Sequence, residues 1–128
     1  QEQEQEDFNE TVEEVAPNTM TISTSFFNFD PKGQYSFFKV SDKSMSPIFD
    51  LGDILIIKES SQFQEYDESY VIEFPDSLKV RRVIETGDLE RNRGVLTPAN
   101  NEFKEAVVNI SDLYIRGQVI ASFKSFSN

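Results

Sequence analysis

Turn signals recur every few residues along most of this chain, and short apolar runs fill the gaps between them. That spacing leaves little room for helices and favours many short strands. Residues 19–29, rich in Thr, Ser, Ile and Phe, read as extended, with a turn at Asp30-Pro31-Lys32-Gly33. Residues 35–40 read as a strand, and Leu51-Gly52-Asp53 as a turn. Residues 54–58 are a continuous apolar run, Ile54-Leu55-Ile56-Ile57 before Lys58, which predicts a strand buried on both faces. A polar connection over 60–67 leads to a strand over 70–74, a turn at Pro75-Asp76-Ser77 and a return strand over 78–85. In that return strand Leu78, Val80 and Arg82 alternate with Lys79, Arg81 and Val83. A turn at Thr86-Gly87-Asp88, a short strand over 94–96, a loop over 97–101, an extended stretch over 103–109 and a long final strand over 113–123 complete the chain. The pattern predicts a mostly β domain: a small, largely antiparallel sheet or partly open barrel.

The N-terminal stretch differs. Glu2, Glu4, Glu6, Asp7, Glu10, Glu13 and Glu14 precede Pro17 with no Lys or Arg among them. Residues 1–18 therefore read as a flexible acidic arm or linker ahead of one domain over 19–128. Phe8, Val12 and Val15 also share a face at helical spacing, so a short helix stopped by Pro17 is the alternative. The arm carries most of the net charge of -11, leaving the rest only mildly acidic. Nothing there resembles the clustered Lys and Arg that phosphate contact requires, which argues against direct nucleic-acid binding by these residues. No apolar run approaches the ~20 residues that span a bilayer. The chain begins with Gln rather than Met, as expected for a piece of a longer protein.

The stretch that carries chemistry is Val40-Ser41-Asp42-Lys43-Ser44-Met45-Ser46-Pro47. A strand runs into a serine, a turn follows, and a buried strand comes next. Such a layout presents a hydroxyl at a cleft, and a serine nucleophile needs a base to take its proton. The chain has no His and no Cys, which excludes a Ser-His-Asp triad, a thiol nucleophile and disulfides, and makes zinc or other transition-metal chemistry unexpected. No cofactor motif or Gly-rich phosphate loop is present. A lysine is the remaining common partner for the serine.

Five segments in order resemble a known family: Val40 to Pro47; Gly52-Asp53 with the following apolar run; Val80-Arg81-Arg82-Val83-Ile84; Leu96-Thr97-Pro98-Ala99-Asn100-Asn101-Glu102-Phe103; and Ile115-Arg116-Gly117-Gln118-Val119-Ile120. Together they resemble the C-terminal domain of LexA-type and lambda-type phage repressors, Ser-Lys self-cleaving peptidases related to bacterial signal peptidases. The resemblance covers about residues 35–124. It implies a small, mostly β fold in which Ser44 matches the nucleophile and a neutral, buried lysine is the base. It also implies a cytoplasmic homodimer that meets DNA only through an N-terminal helix-turn-helix unit, absent here. In that family a recombinase-type activator triggers self-cleavage in the SOS response to DNA damage.

Residue by residue, this chain departs from the pattern. Arg81 occupies the lysine position, and a guanidinium with pKa above ~12 does not act as a base. Lys79 is the alternative base, displaced by about 6.6 Å along the strand at ~3.3 Å per residue. Lys43 adjoins Ser44 but reads as a surface lysine, and Asp42 takes the place of a frequent glycine. The arm offers Ala16-Pro17 rather than the usual small residue followed by Gly, a poor peptide geometry for cleavage. Among the rest, Phe26, Phe27, Phe29, Phe37, Phe38 and Phe123 read as core or dimer surface, and Asp53 as support for its turn. Asn100 and Asn101 read as loop-shaping residues, and Gly117 as a bulge or close approach. The leading expectation is a dimerisation and regulatory repressor domain defective in self-cleavage. The alternatives are an active Ser44–Lys79 peptidase and a module that has kept only the fold.

Overall fold

The computed structural model describes residues 8–15, 18–86 and 92–124. Its strands are β1 (Asn9–Glu14), β2 (Thr19–Ser23), β3 (Tyr35–Lys39), β4 (Ile54–Glu59), β5 (Glu68–Glu73), β6 (Leu78–Glu85), β7 (Arg93–Thr97), β8 (Ala106–Asn109) and β9 (Tyr114–Phe123). They form one nine-stranded sheet in the order β2-β1-β3-β4-β9-β5-β6-β7-β8, open at β2 and β8. Only the β1–β3 pair is parallel, so the sheet is mixed but largely antiparallel, as the turn spacing predicts. Short 3-10 turns at Thr24–Phe26 and Ile110–Asp112 are the only helical elements among the described residues. None is long and apolar enough to cross a membrane.

The apolar run of β4 sits between β3 and β9, and Leu55, Ile56 and Ile57 are fully buried. Alternation sends them to opposite faces. Leu55 and Ile57 join Phe38, Val40, Met45, Val71 and Val80 in one cluster. Ile56 joins Val12, Ile22 and Phe37 in another. A third cluster, of Tyr70, Ile72, Val83, Leu96 and Ile115, fills the far half of the sheet. Within β6, Leu78 and Val80 pack on the first cluster and Val83 in the third, which matches the alternation seen in the sequence.

Residues 9–14 are neither a solvated arm nor a short helix: they are β1, joined to β2 in a hairpin over Asn9↔Ser23 to Glu13↔Thr19. A single well-placed apolar residue accounts for the difference. Val12 is 3% exposed and packs with Ile22, Phe37 and Ile56, while its neighbours Thr11 and Glu13 face water. Strand periodicity places this one β-branched side chain inward, and β2 satisfies the backbone that an isolated arm would leave to water. The extended segment expected over 19–29 ends at Ser23, whose Oγ accepts from Ser25 N at 3.2 Å and opens the 3-10 turn. The stretch over 103–109 becomes a strand only at Ala106, and the turn expected at Thr86-Gly87-Asp88 lies mostly outside the described residues.

Phe37 and Phe38 are core, whereas Phe27 and Phe29 are half-buried around Tyr35, with ring centroids 5.0 and 5.3 Å from it, and Phe27 and Tyr35 pack against the cluster of Phe37. Phe26 stays largely exposed and packs edge-to-face with Phe123, at 5.5 Å between centroids. β9 carries two register shifts, opposite Ile56/Ile57 on β4 and Val71/Ile72 on β5. Gly117 lies between them, and a Cβ there would run into Ile57 Cγ2 and come within 2.5 Å of the Lys58 carbonyl oxygen. The absent side chain lets β9 close onto β4. Gly117→Ala is expected to lower stability by about 2–3 kcal/mol through overpacking against the backbone of β4. Urea denaturation measures this, and a midpoint equal to that of the wild type would contradict it.

Candidate active site around Ser44

Ser44 lies in the loop between β3 and β4. Two backbone bonds close that loop at its base, Val40 N to Asp53 O and Gly52 N to Val40 O, each 2.8 Å. Gly52 sits at φ 92, a left-handed conformation that glycine adopts without steric cost. The buried Asp53 carboxylate does more than support its turn: Oδ2 accepts from Asp50 N at 2.8 Å and from Lys124 Nζ at 2.9 Å. The loop is thereby tied to the residue that follows β9. Lys124 also reaches Asp50 at 3.3 Å, and the hydrogen bonds to both aspartates raise its pKa above the ordinary lysine value. Inside the loop Met45 is buried in the first core cluster, and its carbonyl accepts from Ile48 N and Phe49 N at 2.9 Å. An apolar anchor beside the serine thus fixes the turn that presents it.

Ser44 is 1% exposed, and three groups hold it. Asp42 Oδ1 accepts from Ser44 N at 2.9 Å and from Ser44 Oγ at 2.6 Å. Arg81 Nη1 donates to the same Oγ at 2.7 Å, and to its neighbour Val80 O at 2.8 Å. Asn100, on the β7–β8 loop, donates its backbone N–H to Ser44 O at 2.9 Å and its side-chain amide to Lys43 O at 3.1 Å. Segments far apart in sequence, at 42–44, 81 and 100, therefore converge on one residue.

The electrostatics follow from this contact set. Burial works against ionised Asp42, but the hydrogen bonds from Ser44 Oγ and N, together with the charges of Arg81 and Lys79, outweigh it. The carboxyl ends below its ordinary 3.8. Burial also lowers the Arg81 pKa, against the opposing pull of Asp42. A guanidinium starts from so high a value that it remains charged. Neither partner of the hydroxyl is a useful base: the charged Arg81 guanidinium has no lone pair free to accept a proton, and Asp42 binds protons more weakly than an ordinary carboxylate. Arg81 can stabilise negative charge on Oγ, but it cannot remove the proton that has to leave first.

The two lysines near the site point elsewhere. Lys79 Nζ pairs with Asp76 at 3.5 Å and lies 4.9 Å from the centre of the Phe74 ring, and it forms no hydrogen bond to Ser44. Lys43 is exposed. Ala16 and Pro17 lie outside the described residues. A polar cavity of about 350 Å³ beside the β4–β5 connection is lined by residues such as Ser60, Gln64, Tyr70 and Gln118, and by neither Ser44 nor Arg81. Among the described residues no group of His, Cys, Asp and Glu is placed to hold a metal ion.

The structure thus brings Ser44 and Arg81 together and leaves Lys79 outside. Sequence reasoning missed two direct partners. Asp42 registered only as a missing glycine, although an aspartate two residues before a serine is the signature of a side chain that caps the next backbone N–H. Asn100 registered only as a loop former. A family model described as Peptidase S24-like matches residues 4–120. No curated protein matches the chain.

Because the folded state depresses the Asp42 pKa, its ionised form stabilises the protein. That contribution is complete above the ordinary carboxylate range and disappears as pH falls through the lowered value. The stability difference between wild type and Asp42→Asn should therefore be constant above about pH 5 and shrink toward zero in acid. Urea denaturation across pH 2–7 measures it, and a difference that stays flat into acid would contradict the assignment.

Proposed function

The chain belongs to the Peptidase S24-like family, that of the LexA and phage repressor C-terminal domains, and from that premise we propose that it is a dimerisation and regulatory domain of a transcriptional regulator that does not cleave itself. Arg81 is the observation that carries the reading. Its guanidinium donates to Ser44 Oγ at 2.7 Å, from the place where a neutral amine would have to accept the proton. The site keeps the serine, the turn that presents it and the depth of burial that would depress an amine's pKa, and it lacks the amine. The Lys79 ammonium pairs with Asp76 and lies beside the Phe74 ring, which supports the reading.

On this reading the domain works by pairing two copies of a larger regulator, and DNA contact belongs to a unit encoded upstream of Gln1. The folded part, acidic with Glu10, Glu13 and Glu14 of β1 included, fits that division, since DNA binding needs clustered positive charge. A recombinase-type activator would find no competent nucleophile here, so relief of repression would follow a route other than self-cleavage.

The test combines two measurements. Incubated from pH 7 to 10 and followed by intact-mass spectrometry, the wild-type chain should remain whole and match Ser44→Ala at every pH. Sedimentation should show a dimer at micromolar concentration. Cleavage that Ser44→Ala abolishes would overturn the loss of activity. A strict monomer, from a reading frame with no upstream helix-turn-helix, would overturn the regulatory role.

A further inference from the structure

The Ser44 hydroxyl has one proton, and its two partners carry opposite charge. Asp42 Oδ1 accepts the O–H hydrogen bond at 2.6 Å while Arg81 Nη1 donates to the oxygen at 2.7 Å. Asp42 is not free to swing away, because the same oxygen accepts Ser44 N at 2.9 Å. A carboxylate is therefore fixed one hydroxyl away from whatever side chain occupies position 81. An amine becomes a base when burial disfavours its charged form and no nearby anion compensates. Position 81 is buried, so the first condition is met. Asp42 defeats the second.

We propose, resting on the reading of this site as a silenced serine peptidase, that Asp42 is a second silencing residue. It is a positioning group that turns the Ser44 proton away from position 81 and would keep an amine placed there charged. Asp42 and Arg81 thus act as a pair. Arg81→Lys alone exchanges one cation for another beside the same anion, and the site regains a base only when the carboxylate is removed as well. Lys79 and Lys43 are the other cations nearby. The charge of Lys79 reaches Asp42, but its ammonium is paired with Asp76; Lys43 is exposed on the loop; neither forms a hydrogen bond to Asp42 or Ser44.

The absence of cysteine from the chain provides a direct probe. Ser44→Cys places a unique thiol between Asp42 and Arg81, and its ionisation is read from thiolate absorbance. In Ser44→Cys/Asp42→Asn the carboxylate no longer opposes the thiolate and Arg81 still favours it. The titration midpoint should fall by about one unit or more, a tenfold change in proton affinity. The complementary pair is Arg81→Lys and Arg81→Lys/Asp42→Asn, with lysine labelled with carbon-13 at Cε and the new resonance identified by its absence from the wild type. Its midpoint should stand at or above the ordinary lysine range with Asp42 present, and about one unit or more lower without it. Equal midpoints within either folded pair would overturn the proposal. Where the Arg81→Lys variants do not fold, the thiol pair decides alone. Ser44-dependent cleavage of the wild type would instead overturn the reading of the function, and it leaves both titrations unaffected.

Discussion

The site rests on a single hydroxyl held between opposite charges. Ser44 Oγ donates a hydrogen bond to Asp42 and accepts one from Arg81, both within 2.7 Å, with Ser44 and Arg81 buried and Asp42 half-buried. Charge-assisted bonds of this kind are short and about twice as strong as neutral ones. The arrangement is internally satisfied. The buried guanidinium has an anion one hydroxyl away, the carboxylate has the serine N–H and O–H, and the hydroxyl uses both its donor and an acceptor site. A peptidase needs the opposite: a hydroxyl whose donor bond ends on a group that will take the proton. On the proposed reading, the same geometry that makes the trio stable makes it a poor nucleophile.

The sheet is built so as to hold that trio. β4 contributes the fully buried centre, and β9 packs against it closely because Gly117 has no side chain. The end of β9 then delivers Lys124 to Asp53, closing the serine loop from outside, while Met45 anchors it from inside. β6, separated from β4 by β9 and β5 in the sheet, carries Arg81 in, and the loop after β7 brings Asn100 to the backbone of Lys43 and Ser44. None of these contacts is local in sequence except the Asp42 turn. The site therefore exists only in the complete fold, and any loss of strand register would dismantle it.

How far this could be read from the sequence depended on the range of the signal. The strands of the body were legible because burial imposes a period of two and the turns between them need particular residues. The buried run at 54–57 and the close approach at Gly117 followed from the same rules. β1 was illegible: its composition is that of a solvated arm, and the single inward Val12 and the partner strands β2 and β3 make it a strand. The convergence of Ser44 and Arg81 came from a family resemblance, since nothing in the spacing of residues 44 and 81 predicts contact. Asp42 and Asn100 escaped notice because their roles depend on where a hydroxyl proton and a backbone carbonyl point.

The account accordingly turns on the position of one proton. Neutron diffraction from crystals exchanged into deuterated water would locate it directly. The prediction is a deuterium on Ser44 Oγ directed at Asp42 Oδ1, a fully deuterated Arg81 guanidinium donating to the same oxygen, and Lys79 turned toward Asp76. A deuterium bonded to the Asp42 carboxylate, or Lys79 Nζ within hydrogen-bond distance of Ser44 Oγ, would contradict it.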